Sequence, residues 1–496
     1  MAADIAEYRR RAEEFSAELN REYYLHLAGR KPELEIDGIY RRFADLFEAA
    51  AVDALRTAVE AADGDERRRL RYLLHFGFDG LVGARTKAEQ EELAKLEASL
   101  EVELDGEALG YRQVAAELAN EPEGERRAAL AAARDAVLAD RLDPLQRSAL
   151  ERTRAACVEF GWSGPAAAYA NLRGLDLAGL AERTAGFLAA TDSRYAGVAD
   201  PELEWAGVPP LGRLRRSDLP RFFRAVHLDG PYRGEGMLPT LAGTLAGLGI
   251  ALDRQPNVTV DADARPTKSP RAFCSAPRVP DEIYLVIAPV GGRGDYDALF
   301  HEAGHVEHYA HTDAALPFEY RHLGDNGVTE SFAFLLEGII AEPRWLADRL
   351  GATDPERTAA HARAAKLVMV RRYCAKLAYE LELGGPDPDL ARMPERYSEL
   401  LGNAIRAEWP RETWLDDVDE GFYVACYLRA WALETHWRRA LRERFGERWF
   451  GSAAAGRWLA ELWREGQRLD AEELLAERLG EELDLGVLAA ELTGAG

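Results

Sequence analysis

The sequence predicts a mainly α-helical protein with a small amount of strand. Alanine, leucine, glutamate and arginine dominate its 496 residues, and these are strong helix formers. Apolar residues recur at three- and four-residue intervals in stretches such as LAGLAERTAGFLAAT (177–191) and ARAAKLVMVRRYCAKLAYELEL (362–383), the period of a helix with one buried face. Strand signals are confined to short runs between prolines and glycines.

Residues 1–200 read as an N-terminal helical lobe. Composition shifts at EWAGVPPLGRLRRSDLPRFF (204–223), where prolines and glycines break the helical pattern and mark the expected boundary with a region running from 201 to 496. Gly/Pro-rich text continues to about residue 295. Within it, DEIYLVIAP (281–289) carries β-branched and aromatic residues between Pro280 and Pro289 and is expected to be a strand, with YLVIAP as an exposed sheet edge. There is no internal repeat and no low-complexity tail.

Hydrophobic residues make up 47% of the chain and charged residues 30%, the balance of a soluble globular protein. No apolar run approaches the roughly 18–20 residues of a membrane helix, and the start lacks the apolar core of a secretory signal, so the expected location is cytoplasmic. A formal net charge of −24 would repel a phosphate backbone and argues against nucleic acid as a partner. Cys157, Cys274, Cys374 and Cys426 are scattered and form no CxxC pair, which suggests neither a disulfide framework nor a cysteine metal site.

Five of the ten histidines fall between His301 and His322, and the first two belong to HEAGH (301–305). VGGRGDYDALFHEAGHVEHYAH runs from a glycine-rich turn, past a possible helix cap at Asp295, into a helix. Residues four apart on a helix share a face, so His301 and His305 can grip one ion. Catalytic zinc uses three protein ligands and keeps a fourth position for water. Glu302 is rotated only about a quarter-turn from His301, close enough to serve that water as a base. The third ligand is sought in GDNGVTESFAFLLEGII (324–340), read as a turn at Asn326-Gly327 followed by a helix from about Thr329. Glu330, 25 residues after His305, would complete the set.

SPRAFCSAPRVPDEIYLVIAPVGGRGDYDALFHEAGHVEHYAH (269–311), with the His-to-Glu interval and a further glutamate, Glu337, seven residues after Glu330, resembles the active-site segment of the thimet oligopeptidase and oligoendopeptidase F family of zinc metallopeptidases. The similarity covers roughly residues 265–340, about a sixth of the chain. It implies a two-lobed helical shell with a deep channel, a small β-sheet beside the zinc helix, and tyrosine hydroxyls on a late helix that stabilise the oxyanion. Here that helix reads DVDEGFYVACYLRAW (417–431), which puts Phe422, Cys426 and Arg429 where family members carry tyrosines and Asp417 where they carry histidine. Tyr427 survives in this register, and a one-residue shift brings in Tyr423 as well. Either could be the hydroxyl donor, or both could be packing residues.

The remaining candidates carry two readings each. His308 could compete as a ligand or pack as a polar side chain; His311 and His322, near the connecting loop, could touch substrate. Glu337 could orient a zinc histidine or face solvent. Arg429 could meet a peptide carboxylate or form a surface salt bridge, and Cys274 could be a buried thiol or a regulatory one.

These residues point to a zinc-dependent oligopeptidase with one Zn²⁺ per chain, cutting short unstructured peptides with Glu302 as general base. A metallocarboxypeptidase of the same clan, and a catalytically inactive zinc-containing peptide-binding homologue, stay open beside it. Glu302 favours chemistry, because ligation alone does not need it. Nothing in the sequence sets an oligomeric state.

Overall fold

The structure, a computed structural model, describes residues 5–494. It is mainly α-helical, with β-structure in two two-stranded sheets and one three-stranded sheet among the described residues. No described helix is long and apolar enough to cross a membrane. By contact the chain divides into two compact units, each drawn from three stretches of sequence.

The first unit comprises Met1–Phe78, Leu228–Ala359 and Arg429–Leu483. Its core gathers Trp345, Trp437, Trp449 and Trp463 around Phe300 and Phe332, all essentially buried. The helix Arg293–His311 feeds this core with Tyr296, Leu299, Phe300, Ala303 and Val306, a three-and-four spacing that leaves His301 and His305 on a different face. The helix Asn326–Ile339 does the same with Val328, Phe332, Leu335, Leu336 and Ile339.

The three-stranded sheet lies in this unit. Glu282–Val286 is its central strand, paired parallel with Val258–Asp261 and antiparallel with Phe273–Arg278. Ile283 and Leu285 enter the main core, while Tyr284 and Val286 face Tyr24 and Ala28 of the N-terminal segment, so alternate residues bury both faces. Tyr24 and Tyr284 stack with centroids 3.7 Å apart. The strand expected from DEIYLVIAP is therefore present, but it is not an edge. Val258–Asp261 covers one side, and the edge nearest the motif helix is Phe273–Arg278.

The second unit comprises Asp79–His227, Ala360–Leu428 and Asp484–Gly496. It carries the hairpin Glu101–Leu104/Glu107–Gly110, closed by Asp105 and Gly106 at φ 55° and 84°, the two left-handed positions that an Asp-Gly turn supplies. It also carries the parallel pair Leu214–Arg215/Ala407–Glu408. Buried Arg371 ties the unit together by donating to the Ala404 carbonyl at 2.8 Å and to Thr191 Oγ1 at 2.6 Å.

Candidate metal centre

Local sequence sets where each of the two site helices starts. Gly291 and Gly292 have φ of 106° and 91°, which lets the chain turn sharply into Arg293–His311. Asp295 is not the cap residue: that position is Gly292, and Asp295 sits in the first turn. From there its Oδ2 accepts from Val290 N at 3.0 Å and Gly291 N at 2.9 Å, satisfying amides just before the helix. The second helix begins at Asn326, earlier than the Asn-Gly pair suggested, because Asp325 caps it by accepting from Gly327 N at 2.9 Å.

Asp325 is itself held. Arg429, 1% exposed, reaches Asp325 Oδ1 at 2.9 Å and Oδ2 at 2.8 Å, and its guanidinium also donates to Glu472. It is thus neither a surface salt bridge nor a residue with its guanidinium turned to a peptide carboxylate. It clamps the start of the helix that carries Glu330.

At Gly304 the helices come close: a Cβ there would lie 2.5 Å from both Ala333 Cα and the Phe332 carbonyl oxygen. This approach brings His301, His305 and Glu330 together, with one ligand atom from each within 4.8 Å of the others. Glu330 Oε2 lies 3.5 Å from His301 Nε2 and 3.7 Å from His305 Nε2. Tetrahedral zinc with bonds of about 2.0–2.1 Å separates its ligand atoms by about 3.3 Å, close to both of these carboxylate-to-imidazole distances.

The far side of each imidazole is occupied. His301 Nδ1 meets Glu337 Oε2 at 2.8 Å, and His305 Nδ1 meets Thr329 Oγ1 at 2.9 Å, which directs both Nε2 lone pairs toward Glu330. Glu337 thus takes the orienting position. Helix spacing alone does not single out Thr329, whose place beside Glu330 is the one signal the sequence offers.

The electrostatics suit a cation. Burial opposes a charge on His301, yet the hydrogen bond to Glu337 and the charges of Glu337, Glu330 and Glu302 push its pKa up to about 9. Burial together with the neighbouring His301 and His308 holds His305 well below its ordinary value, in the neutral form that a metal requires. Burial raises Glu302 to about 6, with His301 and the Cys274 amide pulling the other way. Among the described residues, then, His301, His305 and Glu330 form a candidate three-ligand metal site.

Glu302 is fixed from the sheet, since the Cys274 amide on the edge strand donates to its Oε2 at 2.7 Å. The Cys274 thiol is pushed well above its ordinary pKa by burial and by the charge of Glu302, which makes it a poor nucleophile.

The other histidines are placed outside the ligand set. His308 is fully buried, contacts the Gly466 carbonyl oxygen through Nε2 at 3.2 Å, and is pushed down to about 4 by burial. His311 ends the motif helix rather than lying in a loop; its Nδ1 is 2.9 Å from the Glu307 carbonyl oxygen and its ring packs on Trp463. His322 closes the short helix Phe318–His322 against Phe318, pushed down to about 4 by burial.

Compared with known proteins, no protein-family model matches the chain, and no curated protein matches it either.

Tyr423 and Tyr427 belong to the second unit. Gly421 and Phe422 both have positive φ, and the helix Tyr423–Phe445 starts after them, so the two tyrosines stand one turn apart with ring centroids 5.0 Å apart. Phe422 is left in the turn. Arg173 Nη1 lies 3.4 Å from the Cys426 thiol, and Tyr373 packs on Tyr427.

Proposed function

We propose that this chain is a zinc-dependent peptidase of the thimet oligopeptidase and oligoendopeptidase F kind, acting on short unstructured peptides. The observation that carries the reading is the convergence of His301 Nε2, His305 Nε2 and a Glu330 carboxylate oxygen beside a carboxylate, Glu302, that belongs to no ligand set. Two imidazoles and one carboxylate are a donor set that zinc favours and that leaves a coordination position open.

A bound zinc supplies Lewis acidity, which acidifies water and polarises a carbonyl. The protein's part is proton handling and positioning. Glu302, raised to about 6, is ionised at neutral pH yet basic enough to take a proton from the attacking water and return it to the leaving amine. The Cys274 amide holds one of its oxygens, leaving the other for the proton. The edge strand Phe273–Arg278 is the element along which an extended peptide would gain backbone hydrogen bonds that ignore side-chain identity.

The test is to strip the protein of metal, restore it with zinc, and incubate each form with a mixture of short peptides read by mass spectrometry. Cleavage that returns only with zinc supports the reading, and internal cuts separate an oligopeptidase from a carboxypeptidase, whose products would be trimmed at the C-terminus. A stoichiometric zinc protein that cleaves no peptide contradicts it and favours a peptide-binding role.

A further inference from the structure

The second unit contains a cavity of about 300 Å³ that the chemistry proposed above does not use. One side is a row of alanines on the helix Gly124–Val137, and the other comes from residues 215–217, 408–410 and 412, where the parallel strand pair holds Arg215 opposite Glu408.

Two buried polar groups on this cavity lack a hydrogen-bond partner. Asp135, 6% exposed, has its Oδ1 unsatisfied; the nearest cations are Arg134 at 3.7 Å and Arg216 at 4.0 Å, both beyond hydrogen-bond length. Trp409, 5% exposed, has its indole Nε1 unsatisfied. Buried polar atoms without partners are uncommon in folded proteins. Burial pushes the Asp135 carboxyl above its ordinary range although the ion pairs with Arg216 and Arg134 pull it down, and neither arginine donates a hydrogen bond to Oδ1.

The lining carries both signs. Arg215 and Arg216 would draw in an anion, but Asp135, Glu408 and Glu412 would oppose one with no positive charge of its own. A simple cation meets the converse objection. A molecule with an ammonium for Asp135 and a carboxylate for Arg216 and the Trp409 N–H meets both unpartnered atoms at once, while Arg215, Glu408 and Glu412 keep their own ion pairs, and the row of alanines accepts an aliphatic side chain.

We propose that this cavity binds a free aliphatic α-amino acid, its ammonium on Asp135 and its carboxylate between Arg216 and Trp409. The proposal is independent of the metal centre, since the cavity is lined entirely by the second unit.

Calorimetric titration of the full-length protein with leucine tests this. Saturable binding in the millimolar range or tighter is expected, weakened about tenfold or more by Asp135→Asn and by Arg216→Gln. Ala132→Phe, which changes an exposed lining residue, should block the cavity without touching the core. Acetate and isobutylamine, each with half of the charge pair, should bind far more weakly than leucine. In protein labelled at tryptophan, the indole N–H resonance that disappears in Trp409→Phe should shift on adding leucine. Absence of saturable binding by leucine, valine or alanine would overturn the proposal, as would leucine binding unchanged in Ala132→Phe with a Trp409 resonance that does not move.

Discussion

Gly304 and Ala333 meet where the two site helices cross, and the 2.5 Å that would separate a Gly304 Cβ from Ala333 Cα shows that only glycine permits this spacing. The middle of the HEAGH motif thereby sets the distance between the two histidines and Glu330. Gly304→Ala must push the helices apart, and overpacking of this kind costs about 1–3 kcal/mol. A lowered melting temperature together with weakened zinc affinity is expected, measured by thermal unfolding and by competition with a chelator. Wild-type affinity in this variant would show that the crossing distance does not govern the site.

Groups behind the ligands should tune metal binding without abolishing it. Glu337→Gln removes a charged acceptor from His301 Nδ1, and Thr329→Val removes the hydroxyl that His305 Nδ1 meets. Each should weaken zinc binding by about tenfold to a hundredfold, while His308→Gln, altering a residue that faces Gly466, should leave zinc affinity unchanged if the variant folds.

Arg429 carries a structural prediction. Its guanidinium joins Asp325, the cap of the Glu330 helix, to Glu472, with nearly no exposure. Arg429→Met strands a buried carboxylate, a change that costs about 3–5 kcal/mol. Denaturant unfolding should show that loss, and Asp325→Asn combined with Arg429→Met should recover part of it.

Acid stability should depend on Asp261. Burial alone would raise its pKa, but hydrogen bonds from Arg265, Lys268 and Arg30 bring it from 3.8 down to about 2; Lys268 Nζ is 3.0 Å from Oδ1 and Arg30 Nε 2.8 Å from Oδ2. A carboxyl whose folded-state pKa is depressed contributes stability that is complete above its unfolded pKa and lost as pH falls through the folded one. The difference in unfolding free energy between wild type and Asp261→Asn should therefore shrink between about pH 4 and pH 2. Parallel curves across that window would show that the cluster does not hold Asp261 ionised.

Much of the candidate site is legible in the sequence because it is local. His301 and His305 share a face by spacing alone, and Glu330 stands on an apolar helix near a motif that needs a third ligand. What the sequence hides depends on partners distant in the chain. YLVIAP reads as an edge because Val258–Asp261, only four residues long, carries too weak a pattern to announce the strand that covers it. Thr329 and Gly304 acquire their roles from a helix crossing that no spacing rule reports. Arg429 looks like a surface charge until Asp325 and Glu472 arrive from elsewhere in the chain. Composition read along the chain places a boundary near residue 200, whereas units drawn from three stretches each reflect contacts that a linear average cannot express.

Glu302 is proposed as the base beside a metal held by His301, His305 and Glu330. The most direct test compares wild type with Glu302→Gln, measuring zinc content and cleavage of a short-peptide mixture on the same preparations. About one zinc per chain in both proteins is expected, with turnover in the wild type alone. Cleavage by Glu302→Gln at the wild-type rate, with zinc bound, would contradict the assignment.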